Sequence, residues 1–270
     1  DGTATGLIVN KKGTGTLAVT NANTYTGPTN VSGGGTLEVN NTTGSGTGTG
    51  DVNVSDAGST LAGSGTIFGS TILGADTVLA PGEGTPATSN RVLTFTAASP
   101  TALTVQDGGQ VELGVTTEVF NSSAFVTAFQ GGGAADALDY LTGSGAGELS
   151  SWNAVPGTGD ADFINLTGAG SNLSLGTGMG IITIVDNGYV ASTPMMGDVF
   201  NLIDWTQLSA IGGDFNAATD FVFPVLGAGL GWDTSAFTTY GVVVIVPEPS
   251  RILLLSLGLF FGIFRRRRSN

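Results

Sequence analysis

Asp160 and Asp162 stand two residues apart in a chain of 270. In an extended segment that spacing puts both carboxylates on one face. There they could hold Ca²⁺ together with loop carbonyls, or act as the acid pair of a glycosidase. Either chemistry needs support that the composition withholds. The chain has no His and no Cys, and residues 1–246 contain three bases, Lys11, Lys12 and Arg91. Without His the commonest general base and the commonest zinc ligand are missing. One Arg in that span leaves little to bind an acidic sugar or to stabilise developing negative charge, and the many Ser residues have no neighbouring base to activate a nucleophile. Asp160 and Asp162 are therefore read first as solvated surface acids, next as a Ca²⁺ candidate, and last as catalysts. No catalytic residue and no cofactor is expected. The Gly-rich string Gly44 to Gly50 contains G-x-G spacings, but no Gly-Lys-Ser/Thr follows, so no phosphate loop is read there.

A second constellation lies near the C-terminus. Pro247, Glu248 and Pro249 precede the apolar run Ile252 to Phe264, and four arginines follow, Arg265, Arg266, Arg267 and Arg268. Ten of the 13 residues in the run are Leu, Ile or Phe: Ile252, Leu253, Leu254, Leu255, Leu257, Leu259, Phe260, Phe261, Ile263 and Phe264. As a helix the run is about 20 Å long, against a hydrocarbon core of about 30 Å. Its insertion is worth roughly 3 to 6 kcal/mol on a translocon scale, so it is a marginal anchor that requires bilayer thinning or stretched flanks. The arginines fix a cytoplasmic side and place residues 1–246 outside. The two prolines keep the preceding stretch extended and accessible.

The elements that must carry these residues are strands. Gly accounts for 45 of the 270 residues, and only 11% of the chain is charged against 40% hydrophobic. Gly and Thr at such levels disfavour helix, while short alternating groups of Val, Leu, Ile and Phe favour β structure. Residues 1–246 hold 20 acids against three bases, a net of −17, which disfavours nucleic acid and anionic lipid as partners of the body. With no Cys, backbone ladders and apolar rows must hold the fold together. A chain opening at Asp1 without Met or an apolar leader is expected to be a processed or truncated product.

The first eighty residues repeat. Gly15-Thr16-Leu17-Ala18-Val19 returns as Gly35-Thr36-Leu37-Glu38-Val39 and, more loosely, as Gly58-Ser59-Thr60-Leu61-Ala62. One short strand per 20 to 25 residues is the pattern of a β-solenoid. Alternation sends Leu17, Val19, Leu37, Val39, Val52 and Val54 inward, and Glu38 and Asn53 to water. Asn21-Ala22-Asn23, Gly33-Gly34-Gly35 and Gly44-Ser45-Gly46 read as corners that use positive φ. Later strands are expected around Val111–Val115, Leu173–Leu175 and Ile181–Val185. Residues 116–159 form an irregular insertion, in which Ala134 to Leu141 could make two turns of helix. Phe200, Trp205, Phe215, Phe221, Phe223, Trp232, Phe237 and Tyr240 gather after Gly197; they are read as a cap that closes the solenoid, with a glycan-binding platform as the alternative.

Residues 13–27, with Gly34-Gly35-Thr36-Leu37 and Gly63-Ser64-Gly65-Thr66-Ile67, resemble the autotransporter-associated β-strand repeat over about residues 7–95. That resemblance implies an all-β, right-handed parallel β-helix (solenoid) on a bacterial surface or secreted protein. The tail resembles the PEP-CTERM sorting signal in all three of its parts. This implies export, transient anchoring in the inner membrane by a short transmembrane helix, and recognition of Pro247, Glu248 and Pro249 by an exosortase-type transpeptidase. It further implies delivery to the cell surface, the outer membrane or an extracellular matrix that contains polysaccharide. The expected organisation is a solenoid over residues 1–115, the insertion 116–159, a β-rich C-terminal cap over 160–246, and the sorting tail 247–270. A non-enzymatic structural role is expected. A polysaccharide-binding adhesin is the first alternative and a β-helix polysaccharide hydrolase the second.

Overall fold

A computed structural model describes residues 5–82, 92–97, 101–116, 161–168, 173–176, 181–203 and 211–248. The chain winds as successive coils. The first holds β1 (Val9–Lys11) and β2 (Thr16–Val19), and the second β3 (Thr29–Val31) and β4 (Thr36–Val39). The third adds a third side: β5 (Val52–Val54), β6 (Thr60–Gly63) and β7 (Thr66–Ile67). Then come β8 (Thr71–Leu73), β9 (Val78–Pro81) and β10 (Val92–Phe95), followed by β11 (Leu103–Val105), β12 (Gln110–Val115) and β13 (Phe163–Leu166). β14 (Leu173–Leu175), β15 (Ile182–Asp186) and β16 (Val199–Asn201) lead to β17 (Ile211–Gly212) and β18 (Phe221–Val222). β19 (Leu230–Asp233), the single-turn helix α1 (Phe237–Tyr240) and β20 (Val242–Pro247) complete the described chain.

Strands at the same place in successive coils pair in parallel. One seven-stranded sheet runs β1-β3-β5-β8-β11-β14-β17, another runs β2-β4-β6-β9-β12-β15-β18 in coil order, and a three-stranded sheet runs β7-β10-β13. This all-β stacking of parallel coils is the arrangement of a β-solenoid. The repeat sets the register: Leu17 lies beside Leu37, Leu37 beside Leu61, and Leu61 beside Leu79. Val111 and Ile182 continue the same row. Leu37, Leu61, Leu79, Val111 and Ile182 are buried, each burial worth about 1.5–3 kcal/mol. The polar residues between them stay at the surface, so one short Thr-Leu-x-Val motif supplies both the row and its solvated face. Parallel stacking runs well past the repeats, through Phe221 and Val222.

Two kinds of glycine make the coils possible. At the corners Gly33 and Gly34 have φ of 79° and 75°, and Asp56 and Asp76 adopt the same left-handed region at φ 67° and 58°. Between coils, Gly27, Gly50 and Gly69 form a column: a Cβ on Gly50 would run into the carbonyl of Gly27, and one on Gly69 into that of Gly50. The corner at Asn21–Asn23 works differently from expectation. None of its residues has positive φ; Asn23 instead donates from Nδ2 to Gly46 O (2.7 Å) and from its backbone N–H to Ser45 O (2.7 Å).

Leu17 also departs from expectation. It is 39% exposed and Val19 is only half buried, because β2 is the edge of its sheet and no described coil covers its open side. Lys11 fills an inward position of β1, in register with Val31, and its ammonium donates to Gly13 O. On the outer face Asn53 donates to Asn30 Oδ1 (3.1 Å) and Asn30 to Asn10 Oδ1 (3.0 Å), a ladder of amides across three coils.

Among the described residues, no helix is long and apolar enough to cross a membrane. Residues 117–159 of the irregular insertion with the Ala134–Leu141 helix, Trp205, Asp160, Pro249, the apolar run Ile252–Phe264 and Arg265–Arg268 lie outside the described residues.

Candidate functional site

Of the two sequence-predicted acids, Asp162 lies among the described residues and Asp160 outside them. Asp162 is buried, contrary to its reading as a solvated acid. The chain re-enters the solenoid here through an antiparallel bridge between Val115 and Ala161. That return presses Asp162 against β12, where its Oδ2 accepts the Gly114 N–H at 2.6 Å and its own N–H donates to Gly114 O at 2.8 Å. A carboxylate engaged in this way fastens backbone.

The aromatic residues close the C-terminal end. β20 lies between β16 and β19 in an antiparallel sheet, and a parallel bridge from Ile164 to Ile203 ties this sheet to β13. Phe200 and Phe237 are fully buried in the common core. Phe221 stacks on Phe223 (4.8 Å between centroids, 16° between planes), and Phe223 stacks on Trp232 (4.8 Å, 13°). Phe200 and Tyr189 tilt against Trp232 at 5.7 and 6.1 Å, and its Nε1 donates to Pro224 O at 3.0 Å. A sugar platform needs an open ring face, whereas the Trp232 ring is committed to its aromatic neighbours. This arrangement favours the cap over the platform for Trp232.

Beneath the aromatics, Tyr189 donates its phenol to Asp198 Oδ2 at 2.7 Å, and the same oxygen accepts the Met195 N–H at 2.8 Å. Burial, then the hydrogen bond to Asp198 and its charge, hold the Tyr189 phenol far above its usual pKa. Sequence reasoning missed this pair, because nothing in the spacing of Tyr189 and Asp198 marks them as partners.

The Pro-Glu-Pro stretch begins at the edge of the cap. Pro247 ends β20 opposite Leu230, and the Glu248 N–H donates to Gly229 O at 2.9 Å. In an antiparallel strand successive N–H groups point to opposite sides, so position 247 would point its N–H toward β16. On that side the ladder bonds among the described residues end at Ile245, which donates to Asp198 O and accepts from the Gly197 N–H, so a residue without an N–H is tolerated two positions further on. Pro247 and Glu248 are both exposed, and Ile252 follows Glu248 by four residues.

Comparison with protein families returns one match: the model described as the passenger-associated-transport-repeat (PATR) covers residues 9–39. Those residues are β1 through β4, the two coils whose Thr-Leu-x-Val strands set the register. The match supports the autotransporter-associated repeat and points to an exported surface protein. No curated protein and no solved structure matches the chain.

Proposed function

We propose that this chain is an exported bacterial cell-surface or extracellular-matrix structural protein. Its solenoid, right-handed on this reading, serves as a stalk, its antiparallel aromatic sheet closes the stalk, and its tail addresses it. The observation that carries the proposal is the union of a passenger-type repeat over residues 9–39 with a tail ordered as Pro-Glu-Pro, apolar run and arginines. On this reading Pro247, Glu248 and Pro249 are read by an exosortase-type transpeptidase. Ile252 to Phe264 hold the precursor in the inner membrane, and Arg265 to Arg268 stop it on the cytoplasmic side. The mature protein then lies at the cell surface or among extracellular polysaccharide, where the protein is structural rather than catalytic. The exposure of Pro247 and Glu248 at the end of a strand supports this role, since a processing enzyme needs an accessible, extended segment.

Replacing Pro247 and Glu248 together by Ala in the native host tests the assignment. The precursor is expected to accumulate in the inner-membrane fraction with its tail attached. Processing at the wild-type rate would remove the tripeptide from its role.

A further inference from the structure

The segment from β18 into β19 carries Val225, the most exposed large apolar side chain among the described residues. Residues 221–232 read Phe-Val-Phe-Pro-Val-Leu-Gly-Ala-Gly-Leu-Gly-Trp, twelve residues without a charge in a chain whose body is strongly acidic. Val225 is 88% exposed and Val222 49%, while Phe221, Phe223, Leu226, Leu230 and Trp232 are half buried. The Trp232 to Pro224 hydrogen bond folds the loop back on β19; the half-buried side chains pack against the core, and Val222 and Val225 are left exposed as a small apolar knuckle.

The knuckle stands where the tail leaves the domain. Leu230 is paired with Pro247 and Gly229 O holds the Glu248 N–H, so the loop and the exit point are hydrogen-bonded neighbours. From Glu248 to Ile252 the chain spans at most about 14 Å. Each headgroup layer is about 5–8 Å deep. An apolar run some 10 Å shorter than the hydrocarbon core draws its flanks inward rather than leaving slack. The end of β20 is therefore held at the membrane surface, and the apolar loop beside it with it. An uncharged apolar loop does not oppose burial among lipids.

We infer that residues 221–232 form a membrane-interface contact, in which Val222 and Val225 enter the headgroup boundary beside the tail while the precursor is anchored. The partner is a lipid surface recognised by apolar burial rather than by charge. This inference rests on the reading of Ile252–Phe264 as a membrane anchor. Release of the tail removes the tether, and the knuckle leaves the bilayer with the mature protein.

The chain has no Cys, so one engineered thiol reports one place. The full chain carrying Val225→Cys with a polarity-sensitive fluorophore is reconstituted into phosphatidylcholine vesicles containing a shallow nitroxide lipid. Thr42→Cys, on an exposed residue of the N-terminal coils, is the control. The expected result is a blue-shifted, quenched signal at position 225, insensitive to salt, and neither change at position 42. Flotation with the vesicles but an unshifted, unquenched label at 225 overturns the inference and leaves the anchor intact. Failure to float overturns the anchor, and the inference with it. A blue shift that needs no lipid and grows with protein concentration assigns the knuckle to a second copy of the chain and overturns the lipid contact.

Discussion

Gly114 and Asp162, 48 residues apart in sequence, are joined by two hydrogen bonds, one from the Gly114 N–H to Asp162 Oδ2 and one from the Asp162 N–H to Gly114 O. They fasten the chain where it returns to the solenoid. Asp162→Ala leaves the Gly114 donor buried and unpaired, and is expected to cost about 2–3 kcal/mol. Urea denaturation of the variant checks the value, and a chelator is expected to leave the wild-type midpoint unchanged. A drop in the midpoint with chelator would return Asp162 to the role of Ca²⁺ ligand.

Thr71 offers the opposite experiment. It occupies an inward position of β8, between Val52 and Leu103 in register, and its buried Oγ1 has no hydrogen-bond partner. Thr71→Val keeps the shape and removes the orphan hydroxyl. A gain of about 1–2 kcal/mol is expected from thermal or urea unfolding.

The glycine column predicts a sharp contrast between two identical substitutions. Gly50→Ala drives its Cβ into the backbone of the preceding coil, at the Gly27 carbonyl, and is expected to cost upwards of 3 kcal/mol or to prevent folding. Gly13→Ala meets open space at φ 77° and costs only about 1–2 kcal/mol of left-handed strain. Equal effects in parallel unfolding curves would contradict the close stacking of coils.

Tyr189 makes stability depend on alkaline pH. Its folded pKa is raised above the ordinary value of 10.0, so the neutral phenol is the form that the fold prefers. Below about pH 10 both states are neutral and the contribution is complete. Above that, the unfolded chain loses its proton while the folded one keeps it, and stability falls by about 1.4 kcal/mol per pH unit. Tyr25, raised in the same direction chiefly by burial, adds to the slope. Tyr189→Phe is expected to lower stability near neutral pH by about 1–2 kcal/mol and to flatten the decline between pH 10 and 11. Unfolding midpoints across that range decide it.

What could be read from residues alone was whatever repeats locally. The row Leu17, Leu37 and Leu61 follows from one motif recurring at strand spacing, and the parallel register follows from the row. The burial of Asp162 was hidden because it depends on a return across 48 residues, which no local pattern encodes. The exposure of Leu17 was hidden for another reason: alternation says which way a side chain points, and only the neighbouring coil decides whether anything covers it. The Asn23 corner was misjudged because an amide can close a turn by hydrogen bonding without entering the left-handed region. The apolar loop at residues 221–232 was visible as composition, but its place beside Pro247 required the pairing of β19 with β20.

Intact mass of the protein recovered from the surface of its native host tests the sorting reading most directly. The account predicts a chain that ends near Pro247-Glu248-Pro249 and lacks Ile252 to Arg268. Surface-exposed protein that still carries Arg265 to Arg268 would contradict it.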